Sequence, residues 1–192
     1  MATEIRNSTI AFFDIPARSY VQQAIFIVAG TLVLALASQI SVPMVPVPIT
    51  MQTFAVTMIG ALYGWRLGTL TVLAWLGEAM IGLPVLAGLK SGIAPFIGPT
   101  AGYLVAFPVM AALVGFVTER GVTGERPVAG FLLHLLANIL CLALGWVWLA
   151  GVIGAEKAWI AGVAPFILGA VLKSALAASV LKAASVRRKN AA

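Results

Sequence analysis

Long apolar runs, interrupted by short polar, glycine-rich or proline-rich breaks, occupy almost everything between Val21 and Val186. Six of these runs, near 21–41, 50–64, 67–83, 99–118, 128–151 and 158–184, are predicted to be helices. The clearest are about 17 to 25 residues long, the length that spans about 30 Å of hydrocarbon at roughly 1.5 Å per residue. The breaks have local causes. Pro43, Pro46 and Pro48 remove backbone donors and delay the second helix, and Gly64, Trp65 and Arg66 form a tight turn before the third. A long Gly- and Pro-rich segment, Gly82 to Tyr103, leads into the fourth.

Composition turns that pattern into a class. Hydrophobic residues make up 61% of the 192-residue chain and charged residues 9%, with a mean hydropathy of +1.06, whereas a soluble domain carries about 25% charged residues. The chain is therefore predicted to be an all-α integral membrane protein, a single bundle of six transmembrane helices covering residues 1–192. The net charge of +6 does not point to nucleic acid, because the basic residues are scattered at loop ends and the C-terminus rather than clustered. Membrane topology explains them better. With both termini cytoplasmic, Arg6, Arg18, Arg66, Arg120, Arg126, Lys182, Arg187, Arg188 and Lys189 lie inside, and only Lys90 and Lys157 face outward. The stretch up to Tyr20 lacks the pattern of a signal peptide, so targeting is expected to fall to the first span.

Against this background a few polar residues stand out. Lys173 falls about halfway along the sixth run, where a charge costs at least about 2.5 to 3.5 kcal/mol on insertion scales, so it needs a partner or a wet cavity. Glu78, near the end of the third run, reads equally as a site residue or a solvated helix end. His134, Asn138, Cys141 and Gly145 recur at spacings of four, three and four, which places them on one helix face directed into the bundle. For His134 that reads as interhelical packing; Asn138 is open to packing or binding. Gly169, Lys173 and Ala177 share a face of the sixth helix. Thr50 and Gln52 stand at the start of a helix beyond the proline cluster, and the 82–103 segment is too apolar for disorder and reads as a lid over a cavity. Tyr103, Trp146 and Trp148 are expected as aromatic walls. One acid well inside a span, one histidine and one cysteine, Cys141, cannot supply a catalytic pair, a triad, a disulfide framework or a metal cluster. Nor is there a nucleotide loop, since in Gly88-Leu89-Lys90-Ser91 the lysine does not directly follow the glycine. The residues point to binding of a small, partly apolar molecule carrying a carboxylate or strong acceptors.

The runs VPVPITMQTFAVTMIGALYG (Val45 to Gly64), GLPVLAG (Gly82 to Gly88), GPTAGYLVAF (Gly98 to Phe107), the single His134 and APFILGAVLK (Ala164 to Lys173) resemble the BioY family, the biotin-binding S components of energy-coupling factor transporters. That resemblance implies a six-helix protein of the prokaryotic cell membrane. It would capture biotin from outside and release it inside together with a transmembrane coupling protein and two ATPase subunits, without enzymatic activity or a cofactor. Lys173 would be a ligand position, and Tyr103 would shape the pocket. The expected binding residues are Lys173, Tyr103, Asn138, Gln52, Glu78 and Gly88. Two departures stand out: many members carry an acid three positions before the lysine, where this chain has Ala170, and the first helix shows Thr31 with Ala35 and Ala37 with Ser41 in place of an Ala-xxx-Ala docking pattern. An S component for another small vitamin is the alternative, and an intramembrane enzyme is the reading from a different class. Self-association and transport without the ATPases stay open.

Overall fold

The computed structural model describes residues 19–122 and 124–191; Arg6, Asp14 and Arg18 lie outside them, as do the side chains of Arg188 and Lys189. The all-helical architecture is borne out. In chain order come α1 (Tyr20–Gln39), a two-residue strand pair of β1 (Ser41–Val42) and β2 (Ile49–Thr50), α2 (Gln52–Met80), a 3-10 turn (Ala87–Leu89) and α3 (Ala94–Ile97). There follow α4 (Ala101–Glu119), α5 (Pro127–Ile153), α6 (Ala155–Gly162) and α7 (Phe166–Ala191). Among the described residues, α1, α4, α5 and the Phe166–Arg187 part of α7 are each long and apolar enough to cross a membrane, and α2 is so only when counted through Gly64.

Two predicted elements are built differently from expectation. The runs at 50–64 and 67–83 are two helices, as expected, running together as α2 through a single non-helical residue, Gly64, at φ 80° and ψ 172°. Only glycine adopts such a backbone at low cost, so the turn expected over Gly64, Trp65 and Arg66 is made by Gly64 alone. The chain doubles back there. A Cβ added to Gly68 would sit 3.0 Å from the Cα of Gly60, whereas eight residues along a straight helix are separated by about 12 Å. The Trp65 N–H, left without a helical acceptor, donates to Glu119 Oε1 at 3.0 Å. The second departure is the run at 158–184, which is not one helix. Pro165 has no N–H and disfavours helical backbone before it, so α6 ends at Gly162 and α7 starts at Phe166.

Hydrogen bonds between segments define one end of the bundle. Met51 N–H donates to Ile40 O at 3.0 Å, Gly92 N–H to Ala79 O at 2.7 Å, Trp148 Nε1 to Gly98 O at 2.9 Å and Tyr103 Oη to Gly162 O at 2.8 Å. Ser41 pairs with Thr50 and Val42 with Ile49, so the proline cluster is spanned by a small hairpin that carries a cis Val45–Pro46 bond. At the opposite end lie the Gly64 turn, Glu119, and Gly124 packed on the backbone of Leu181. Arg66, Arg120, Arg126 and Lys182 neighbour those residues in sequence, while Lys90 and Lys157 belong to segments at the other end.

The core runs along α2 and α4. Trp75, Met110, Val56, Val72 and Val114 are wholly buried, and Trp75 stacks on Phe107 with ring centroids 5.9 Å apart. Close approach depends on small residues, as in membrane bundles generally. A Cβ on Gly60 would fall 2.5 Å from Ala111 O, and one on Gly115 would fall 2.5 Å from Trp65 N.

Candidate functional site

Where the helices separate, at the end carrying the hairpin and the 82–100 loop, a cavity opens with about 750 Å³ of empty space, its mouth included. Five chain segments build it: Thr50 and Thr53 from β2 and α2, Leu86, Ala87 and Lys90 from the loop, Tyr103 and Phe107 from α4, and the inner faces of α5 and α7.

Lys173 is its most demanding member. The ammonium donates to Thr50 O at 3.0 Å and to Thr53 Oγ1 at 2.9 Å. Both acceptors are neutral, and among the described residues no carboxylate pairs with it, so its charge is uncompensated. An ammonium has three protons; the third is left for a ligand. Thr50 can offer its carbonyl because it ends β2, and its own side chain is tied down. The Thr50 hydroxyl donates to Gln52 Oε1 at 3.0 Å and accepts from Gln52 N–H at 3.2 Å. Gln52 Nε2 in turn donates to Ser38 Oγ on α1 at 3.0 Å. A ladder of neutral groups thus fixes the shelf on which the lysine rests.

Asn138 directs its amide hydrogens to His134 O at 2.9 Å and to Ser174 Oγ at 3.3 Å. The polar atom left to a ligand is its carbonyl oxygen. Tyr103 contributes its ring, because the hydroxyl is spent on Gly162 O, pinning the break between α6 and α7. That ring lies where a side chain on Gly145 would otherwise be and stacks on Phe166 at 6.3 Å. The result is an apolar, aromatic chamber with one half-buried cation inside it, one exposed cation, Lys90, from the loop, and one amide acceptor.

Of the six residues expected from sequence, Lys173, Tyr103, Asn138 and Gln52 line this cavity, and Glu78 and Gly88 do not. Glu78 is half-buried on α2, away from the chamber. Gly88 is exposed with φ 67° and nothing within 4 Å of a Cβ, and its neighbour Ala87 is the lining residue. Trp146 and Trp148, expected as walls, instead donate to Ala155 O and Gly98 O; Phe107 and Phe166 take that place. The α5 stripe points inward as expected, with Asn138 and Cys141 on the cavity. His134 is buried outside it, and neither ring nitrogen has a partner among the described residues. On α7 the cavity face is Phe166, Ala170 and Lys173 rather than Gly169, Lys173 and Ala177. Spacings of four and three make that face readable from sequence, as does Tyr103 with Phe107. Thr53 carries no such signal.

An apolar helical bundle holding a small-molecule chamber at one end, with an unpaired cation inside, defines a membrane-embedded solute-binding protein. The chain belongs to the BioY family, whose model matches residues 6–190, as the motifs had indicated. It is 39% identical over 177 residues to a biotin transporter BioY of Rhizobium etli, covering 88% of this chain and 94% of that one. To a probable biotin transporter BioY of Pyrococcus horikoshii it is 39% identical over 140 residues, 73% of this chain and 82% of the other. Its fold is similar to the crystal structure of an S component for biotin from an ECF-type ABC transporter, with TM-score 0.76, 28% identity, and coverage of 88% of this chain and 92% of that chain.

Proposed function

We propose that this protein captures biotin from outside the cell as the substrate-binding subunit of an energy-coupled vitamin importer. The observation that carries the reading is the uncompensated ammonium of Lys173 inside an otherwise apolar, aromatic chamber. Biotin combines a ureido group, an apolar sulfur-containing ring and a carboxylate-tipped chain. The carboxylate is the most strongly hydrated of these, and burying it is the most costly, so it belongs at the exposed mouth with Lys90. The ureido carbonyl then takes the free proton of Lys173, and a ureido N–H meets the Asn138 oxygen. Ala170, small and on the wall, leaves room for the rings.

The doubled chain at Gly64 supports six crossings, with Gln52–Tyr63 as a short second one. Twelve residues reach only about 18 Å, and the β1–β2 hairpin completes that layer where non-helical backbone lines a cavity and is tolerated. Arg66, Arg120, Arg126 and Lys182 at the end away from the cavity support cytoplasmic termini in a prokaryotic cell membrane. Binding without chemistry is the subunit's task, and release inside falls to a coupling protein and two ATPases. Equilibrium binding of labelled biotin to purified protein tests the reading. Saturable binding displaced by unlabelled biotin, and not by thiamine, riboflavin or folate, is expected; displacement by one of those alone would assign another vitamin.

A further inference from the structure

The loop that supplies Leu86, Ala87 and Lys90 to the cavity is tied to α1 by one side chain. Gln39, in the last turn of α1, donates from Nε2 to Leu86 O at 3.0 Å, and its Oε1 accepts the Leu89 N–H at 3.3 Å. Gln39 is not itself a lining residue. The site it grips is strained: Leu89, at φ 58°, is the one non-glycine residue with positive φ among the described residues. Such backbone is unfavourable for an ordinary side chain, and with Leu89 64% exposed, burial does not hold it there. Within the stretch Leu86 N–H donates to Lys90 O at 3.2 Å and the Leu86 side chain is buried, and Trp75 Nε1 on Val85 O at 3.2 Å and Gly92 N–H on Ala79 O anchor its flanks, but none of these holds the Leu89 amide.

We infer that Gln39 is a positioning residue that latches the 86–90 loop closed over the cavity and so sets how fast ligand leaves. Leu89 stores the strain that opens the loop once the latch lets go. The inference rests on the biotin reading for its ligand, and its test has one arm that does not. Gln39→Leu removes both hydrogen bonds, and Gln39→Glu keeps the acceptor for Leu89 N–H while losing the donor to Leu86 O. Two quantities are measured on each purified variant: the dissociation rate of labelled biotin, and hydrogen exchange of the 86–90 amides without ligand. Gln39→Leu is expected to speed dissociation about tenfold and to accelerate exchange at Leu89 by at least as much, with the association rate and the ligand-free melting temperature unchanged. Gln39→Glu should fall between it and the parent. Unchanged dissociation, or faster dissociation without faster exchange, overturns the latch. A parent protein that binds no biotin overturns the biotin reading instead, and the exchange arm still decides whether Gln39 holds the loop.

Discussion

Around Gly64 the helices approach until backbone meets backbone, Gly60 against Ala111 and Gly115 against Trp65, and the Glu119 carboxylate caps the turn. At the other end α4 presents Tyr103 to Phe166 and a loop, and the space between is bordered by a ladder of hydroxyls and amides that ends on Lys173. The same helices build both ends. The difference is what their small residues meet: glycine facing backbone closes the bundle, whereas glycine facing an aromatic ring, as Gly145 faces Tyr103, holds a wall in place beside an empty volume. A binding protein open to one side of the membrane needs both, a sealed half that keeps solute from leaking and an open half with a rigid rim.

Substitutions that exchange the properties of the two halves test that contrast. The largest effect is expected from Gly115→Ala, whose Cβ would meet the Trp65 nitrogen and the Gly64 carbonyl carbon at 2.5 and 2.6 Å. Backbone cannot yield as a side chain does, so a loss of about 3 kcal/mol or more is expected, at the top of the range for overpacking, seen as a large drop in melting temperature or failure to purify as a monodisperse species. Gly77→Ala, with nothing within 4 Å, should leave melting unchanged or raise it slightly. Next comes Ala170→Leu, which adds bulk on the chamber side and should weaken biotin binding at least about a hundredfold without lowering the melting temperature. Retained affinity would place the ligand elsewhere. Tyr103→Phe removes one buried hydrogen bond to Gly162 and should lower stability by about 1 kcal/mol, with a modest loss of affinity as the α6–α7 break loosens. The smallest effect is expected for Glu78→Gln, within about twofold in biotin affinity, since Glu78 stands away from the cavity.

Much of this contrast was legible before the fold. Helix positions followed from hydropathy because each run is either lipid-facing or packed on its neighbours, and Lys173 announced itself by its cost in hydrocarbon. The inward α5 stripe was readable because Asn138 and Cys141 keep helical spacing. What escaped was nonlocal. The partners of Lys173, Thr50 O and Thr53 Oγ1, lie more than a hundred residues away in sequence, and only the closure of the β1–β2 hairpin brings them under α7. Trp146 and Trp148 misled because their indole N–H groups are used to hold loop carbonyls, a role that composition does not distinguish from lining a pocket. The break at Pro165 was missed because the residues around it are as apolar as a span. Glu78 drew attention as a rare acid, yet rarity in an apolar chain marks a cost and not a location.

The most direct test of the central claim is calorimetric titration of biotin into the purified protein and its Lys173→Ala variant side by side. Saturable binding to the parent, weakened about ten- to a hundredfold in the variant, is predicted, in line with the roughly 1.5–3 kcal/mol carried by a hydrogen bond from a charged donor, with both proteins equally folded. Equal affinity in the two would contradict the claim that the unpaired ammonium is what the ligand meets.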